Sequence, residues 1–272
     1  NNALGHELGQ QVLVENLGGV SGAIAAQKVL AAPADGYYLF QGSPNEVILS
    51  PLANAAVKLR TEDFRLVHPV ADAVVVVVAR KDLAANNIDE LIALAKARPG
   101  KINYASSGNG TPYHMAGELF KYMAGIDMTH VPYKGSSGAR TDIVGGQVDV
   151  MFDAETTMAT MAREGKVRAL AGTGLTRSAN LPDMPTVNES GVPKYEATIW
   201  LGLMAPKGTP AEIVNRLNAE VRKIVNNPEV KATWAKQGAV PMSMTVPEFE
   251  QYLNADIAKW ANIVKVSGAK PD

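Results

Sequence analysis

The alternation of two periods constrains this chain more than any other feature. Short β-type runs take turns with amphipathic helical stretches along most of its length. Val74 to Val78 is an unbroken β-branched run, suited to a strand buried on both faces. Strands are predicted at Gln11 to Glu15, Tyr37 to Phe40, Lys101 to Ala105 and Met128 to Val131, and again at Val148 to Phe152, Val167 to Ala171 and Thr198 to Met204. Helices are predicted between them: Gly22 to Leu30, Ile88 to Ala97, Thr111 to Met123 with Pro112 in its first turn, Ser137 to Val144 and Thr156 to Arg163. Three more follow near Ala211 to Val225, Glu229 to Lys236 and Val246 to Val266. Such an order predicts an α/β fold with mainly parallel sheets. Ala3, Leu4 and Leu8 read as the last turns of a helix stopped by Gly9. Open α/β domains more often start on a strand, so an earlier strand and loop are expected ahead of Asn1.

Composition matters here for what it excludes. A chain of 272 residues allows one large domain or two small ones. The longest strongly apolar run, Ala73 to Ala79, falls far short of the ~20 residues that cross a bilayer. No membrane insertion of its own is expected. Lys+Arg 26 against Asp+Glu 27 leaves no basic excess for a nucleic-acid surface. Cysteine is absent, which removes disulfides, thiolate catalysis and Cys-based metal sites, and is compatible with an oxidising compartment. Trp234 and Trp260, in the helical last quarter, read as packing residues.

Enzyme motifs fail on inspection. Gly19-Val20-Ser21-Gly22-Ala23 resembles a nucleophile elbow but ends in Ala and reads better as a small-residue turn. Gly108-Asn109-Gly110-Thr111-Pro112-Tyr113 starts like a dinucleotide fingerprint, yet Tyr113 takes the third glycine position. His6-Glu7 lacks a second histidine four residues on, so no zinc motif forms. No catalytic residue, metal or cofactor is expected.

Small polar loops at the ends of predicted strands remain: Gly42-Ser43-Pro44-Asn45, Ser106 to Thr111, and Tyr133 to Ser137. Ligands of open α/β sheets bind outside the carboxyl ends of strands. Gly, Ser and Thr there expose N–H and O–H donors, and the next helix adds its positive end. The bland alternative is a set of tight turns with good helix caps. Ser106, Ser107, Gly110 and Thr111, with Ser43 and Asn45, are the expected carboxylate cradle, and His114 sits beside it. Tyr133 offers a ring and a hydroxyl, and Lys134 a cation on a flexible stem. Asp153 either reads a ligand's amine or hydroxyl or caps the helix near Thr156.

The stretch Lys101 to Gly135, KINYASSGNGTPYHMAGELFKYMAGIDMTHVPYKG, closely resembles the receptors of tripartite tricarboxylate transporters, the TctC-like or Bug proteins. Glu15-Asn16 before the Gly18 to Gly22 turn, Asp35-Gly36-Tyr37, Gly146 to Asp153 and Leu181 to Thr186 match the same family. The resemblance implies an exported, periplasmic-binding-protein-like receptor with two α/β lobes and a ligand cleft between them. It implies capture of a small organic carboxylate and delivery to membrane transporter subunits, with a monomer expected. Lobe 1 is placed at 1–72 plus 198–272 and lobe 2 at 73–197, with crossings near Asp72 and Tyr195 to Thr198. The family's first strand and Pro-Gly-Gly loop are not found after Asn1. Glu46, close behind Ser43, disfavours a second anion there unless it turns away or pairs with a cation. An α/β hydrolase or transferase acting on a small acid is the competing reading, and a sensory ligand-binding module a third.

Overall fold

The computed structural model describes residues 2–17, 22–53 and 57–268. Its elements run α1 (Asn2–Leu8), α2 (Ala23–Leu30), β1 (Phe40–Gly42), a π-helical turn (Asn45–Leu49), α3 (Ser50–Ala53), a 3-10 turn (Thr61–Asp63), β2 (Phe64–Ala73) and β3 (Val75–Arg80). Next come α4 (Ile88–Ala97), β4 (Asn103–Ser106), α5 (Pro112–Ala124), β5 (Thr129–Pro132), α6 (Ser136–Val144), β6 (Val150–Ala154), α7 (Glu155–Arg163) and β7 (Val167–Gly172). The chain ends with β8 (Ile199–Pro206), α8 (Ala211–Asn226), α9 (Pro228–Ala235), β9 (Ala239–Pro241) and α10 (Val246–Ser267). Of the glycine/serine turn and the elbow-like motif, Gly18 to Ser21 lie outside the described residues.

The chain divides into two compact units. Unit 1 comprises Asn1–Asp72, Trp200–Trp234 and Ala239–Ala261; unit 2 comprises Ala73–Ile199, Ala235–Gly238 and Asn262–Asp272. Unit 1 carries the sheet β1-β8-β2-β9. Helix α8 covers this sheet because Val214, Leu217, Val221 and Val225 recur at helical spacing and are buried. Trp200 is fully buried and donates through Nε1 to Asp256 Oδ2 at 2.8 Å. Trp260 is buried too, and Trp234 packs on the cluster of Leu4, Val221 and Val225, as packing residues do.

Unit 2 carries the sheet β5-β4-β6-β3-β7. Val75 to Ala79 are completely covered, as the β-branched run predicts for a central strand. Val76, Val78, Ala105 and Met151 pack with Ala139 and Ile143 of α6 and Met158 of α7.

The sheet of unit 2 is mixed, not mainly parallel. β4 runs parallel to β5 and β6, whereas β3 is antiparallel to both β6 and β7. Only Val74 separates β2 from β3, so no crossover helix precedes β3 and the parallel rule for βαβ units does not bind it. β1 pairs antiparallel with β8. Gln11 to Glu15 is irregular: a strand needs a hydrogen-bonded neighbour, and this segment has none among the described residues. The strand predicted at Tyr37 begins only at Phe40, and Tyr37 is exposed. β2, hidden in the sequence by Pro69, was not anticipated, and neither was the short β9.

Candidate functional site

The directions of the strands define one edge of unit 2. β4, β5, β6 and β7 all point the same way, and their carboxyl ends lie beside the start of β3. Three helices begin at that edge: α5 after β4, α6 after β5 and α7 after β6. Each helix start presents backbone N–H groups that lack an intrahelical partner. What happens to those donors decides what the edge can bind.

At α5 the first turn is capped, and Pro112 brings no N–H to it. Thr111 is the N-cap, accepting from His114 N at 3.4 Å and donating to Gly108 O at 2.8 Å. Gly110 N donates to His114 Nδ1 at 2.9 Å. His114 stacks face to face on His130, with ring centroids 3.7 Å apart. His130 Nε2 lies 2.7 Å from Ser106 Oγ, and that hydroxyl also bonds Gly108 N and O. Beneath them, buried Glu118 receives the Tyr104 hydroxyl at 2.5 Å and Lys121 Nζ at 2.9 Å. Burial, with Glu118 adjacent, pushes the Tyr104 hydroxyl far above its ordinary pKa. Of the four expected cradle residues in this loop, Ser106, Gly110 and Thr111 are therefore held by the loop itself. Ser107 is half-buried, and its hydroxyl has no partner among the described residues.

At α7 the first turn already holds an acid. Glu155 is buried and accepts from Ser178 Oγ at 2.6 Å and Asn180 Nδ2 at 3.1 Å.

At α6 the first turn is open. Its N-cap is Gly135, at φ +93°, where no side chain caps the helix and no acid enters the first turn. Gly135 N donates to Ser107 O at 3.0 Å, tying the two loops side by side. Tyr133 does not offer its hydroxyl outward: it donates to Asp142 Oδ2 at 2.5 Å. Burial, then that carboxylate, pushes the Tyr133 hydroxyl up to about 12. Its ring lies against Gly138, where an added Cβ would stand 3.0 Å from Tyr133 Cδ1. Lys134 is exposed and makes no ion pair among the described residues.

Asp153 neither caps α7 nor faces solvent. The N-cap is Ala154, and Asp153 is 0% exposed. Its Oδ2 receives Arg140 Nε at 2.5 Å and its Oδ1 the Ser136 hydroxyl at 3.2 Å. The hydrogen bond to Asp153 raises the pKa of the Arg140 guanidinium above its ordinary value. Tyr113, in the first turn of α5, feels both charges. Burial and Asp153 push its hydroxyl up to about 12. Arg140 and Tyr113 were missed from sequence. Helical spacing was the available signal, since Arg140 follows Ser136 by one turn and is the lone cation of α6.

In unit 1, Ser43 and Asn45 turn their donors onto Glu46. Ser43 N and Oγ reach Glu46 Oε2 at 2.7 and 2.6 Å, and Asn45 Nδ2 reaches Oε1 at 3.1 Å. Glu46 thus folds back on its own loop and is balanced by neutral donors, not a cation. The Ser-x-x-Glu spacing was the readable sign. Unit 1 brings these two residues together; unit 2 brings together Ser106, Ser107, Gly110, Thr111 and His114, and separately gathers Asp153 with Ser136 and Arg140.

Ser106 Oγ and His130 Nε2 have the spacing of a nucleophile–base pair, but Ser106 is 0% exposed. Among the described residues no three His, Asp or Glu gather as a metal site, and no helix is long and apolar enough to cross a membrane.

Two α/β units, with donors left at strand ends in one of them, define a solute-binding protein of the two-lobed kind. The profile of the tripartite tricarboxylate transporter family receptor matches residues 1–269, and the chain belongs to that family. Protein BugT of Bordetella pertussis is 35% identical over 266 residues, 97% of this chain and 81% of that one. A Rhodopseudomonas palustris protein solved with adipate aligns at TM-score 0.82 and 32% identity, covering 100% of this chain and 91% of that one. MatC of the same organism, solved with bound malate, aligns at TM-score 0.75 and 29% identity, covering 96% and 90%. BugD, solved as a periplasmic binding protein, aligns at TM-score 0.76 and 32% identity, covering 100% of this chain and 91% of that one; the family and its solved members are binding proteins, not enzymes.

Proposed function

We propose that this protein captures a small organic carboxylate in the periplasm and delivers it to the membrane subunits of a tripartite tricarboxylate-type transporter, without catalysis. The observation that carries the reading is the open start of α6 beside the unspent hydroxyl of Ser107. Free N–H groups at a helix start favour an anion, and the helix dipole adds to them. The family, and the relatives solved with adipate and malate, supply the carboxylate class. Ser107, Ser136 and Ser137 are the residues assigned to it. Ser43, Asn45, Ser106, Gly110, Thr111, His114 and Tyr133 shape the loops, and Lys134 contributes field alone.

Native mass spectrometry of the purified protein, with calorimetric titration of adipate and malate, tests this. A retained organic acid, or saturable binding of either probe without turnover, is expected. Absence of both, or conversion of the acid, overturns the reading.

A further inference from the structure

The Arg140–Asp153 pair is asymmetric in what it offers a ligand. Asp153 lies at the end of β6 with both oxygens engaged, one by Arg140 Nε and one by Ser136 Oγ, and none of its surface is exposed. The Arg140 side chain keeps 29% of its surface, enough to be reached from solvent. Only its Nε is bonded; the two terminal nitrogens have no partner among the described residues. Such a fork matches the two oxygens of a carboxylate. Buried Asp153 fixes the direction of the fork and removes the rotamer freedom that a lone arginine would lose on binding. Tyr113, close enough to feel both charges, remains a protonated neutral donor at physiological pH.

An ammonium group finds the reverse. It meets the guanidinium with like charge, and the nearest carboxylate is spent. Glu155 keeps one unpaired oxygen, Oε2, but is 1% exposed. An amine that reached the pair would have to break the bond between Arg140 and buried Asp153 and push the guanidinium away from its one charged partner.

We propose that Arg140 is the specificity-determining residue of this site, taking a carboxylate on its two terminal nitrogens, and that the site selects carboxylic acids without an ammonium group over amino acids. Asp153 is the positioning residue behind it. The proposal rests on the carboxylate-receptor reading above.

The test is calorimetric titration of the full chain with two matched probe pairs, adipate against 2-aminoadipate and succinate against aspartate. Wild type should bind at least one plain diacid at least about tenfold more tightly than its amino partner. Arg140→Gln should weaken the preferred diacid by about tenfold or more and shrink the ratio to roughly threefold. Arg140→Lys, which keeps the charge but not the fork, should recover only part. Because Arg140→Gln strands a buried carboxylate, the double variant Arg140→Gln/Asp153→Asn is run beside it, with melting curves. It should fold and show the same loss. If wild type binds an amino acid as tightly as its parent diacid, or if the double variant binds like wild type, the inference fails alone. If wild type binds none of the four, the inference fails, and the receptor reading falls with it only when malate binding and a retained acid are absent too.

Discussion

Helices α5 and α6 begin at the same edge of one sheet, after neighbouring parallel strands, yet they dispose of their first turns in opposite ways. α5 starts on Thr111-Pro112 and is closed by its own residues: Thr111 caps it, and His114, one turn in, takes Gly110 N. α6 starts on Gly135-Ser136-Ser137, with no side-chain cap. Its residue one turn in, Arg140, turns to Asp153 on the next strand instead of back to its own loop. Both sequences look like anion cradles. The side chains around the first turn decide which one is still open: Thr111 and His114 take N–H groups at α5, and no side chain does so at α6. A closed start stabilises the fold; an open one is stability withheld, available to a ligand. The two ends should therefore respond to substitution in opposite ways, stability without affinity at α5 and affinity without stability at α6.

The largest effect is expected at α6. Ser137→Asp sets a carboxylate over the open N–H groups of the first turn. It should weaken a bound acid by at least about a hundredfold, corresponding to roughly 3 kcal/mol, through repulsion and lost donors. The same carboxylate interacts favourably with the helix dipole, by about 0.3–1 kcal/mol, so the melting temperature should hold or rise. Calorimetry and a melting curve on one preparation check both. Affinity retained with a raised melting temperature would place the acid elsewhere.

His114→Ala probes the closed side at its centre. The substitution leaves Gly110 N without its acceptor and removes the ring stacked on His130. A lost acceptor in this half-buried loop costs at most about 1–3 kcal/mol, and the volume vacated by the buried His114 ring adds to that. Thermal unfolding should show a clear drop. Affinity should change by less than about tenfold, because Ser107 and α6 keep their own connections. A large affinity loss at unchanged melting temperature would mean that His114 touches the ligand.

The sequence made the helices of this edge readable because helix signals are local. Pro112 at the first position of α5 and the glycine past its end, Gly125 at φ +62°, lie within the helix's own turns. Strand direction was not local. β3 inverts because only Val74 separates it from β2, and no pattern within Val75 to Arg80 encodes a direction. β2 was concealed by Pro69, which argues against an interior strand when read alone. The loops at the strand ends were readable as polar and donor-rich, but not as open or closed. Ser106 is closed by His130, 24 residues away, and Arg140 is aimed by Asp153, 13 residues away; neither partner is implied by spacing. Glu46 is the exception, since Ser43 and Glu46 stand at capping-box distance in the sequence itself.

Thr111→Ala gives the smallest effect and the sharpest contrast with Ser137→Asp. From sequence alone, Thr111 is the natural ligand contact, and its removal is expected to cost binding. In the fold its hydroxyl already donates to Gly108 O and accepts from His114 N. A hydroxyl with its proton and one lone pair engaged in this way is a cap. Replacing an N-cap threonine with alanine costs about 1 kcal/mol of stability, within a range of roughly 0.5–2. The backbone at this point is held a second time, since Thr111 N donates to Gly108 O and Met115 N to Thr111 O. The loop should therefore keep its shape, and Ser107 its place beside Gly135. The expected outcome is a melting temperature lowered by several degrees, with affinity for the bound acid within about threefold of wild type. An affinity loss of tenfold or more, with little change in melting, would reverse the assignment and make α5, not α6, the open helix.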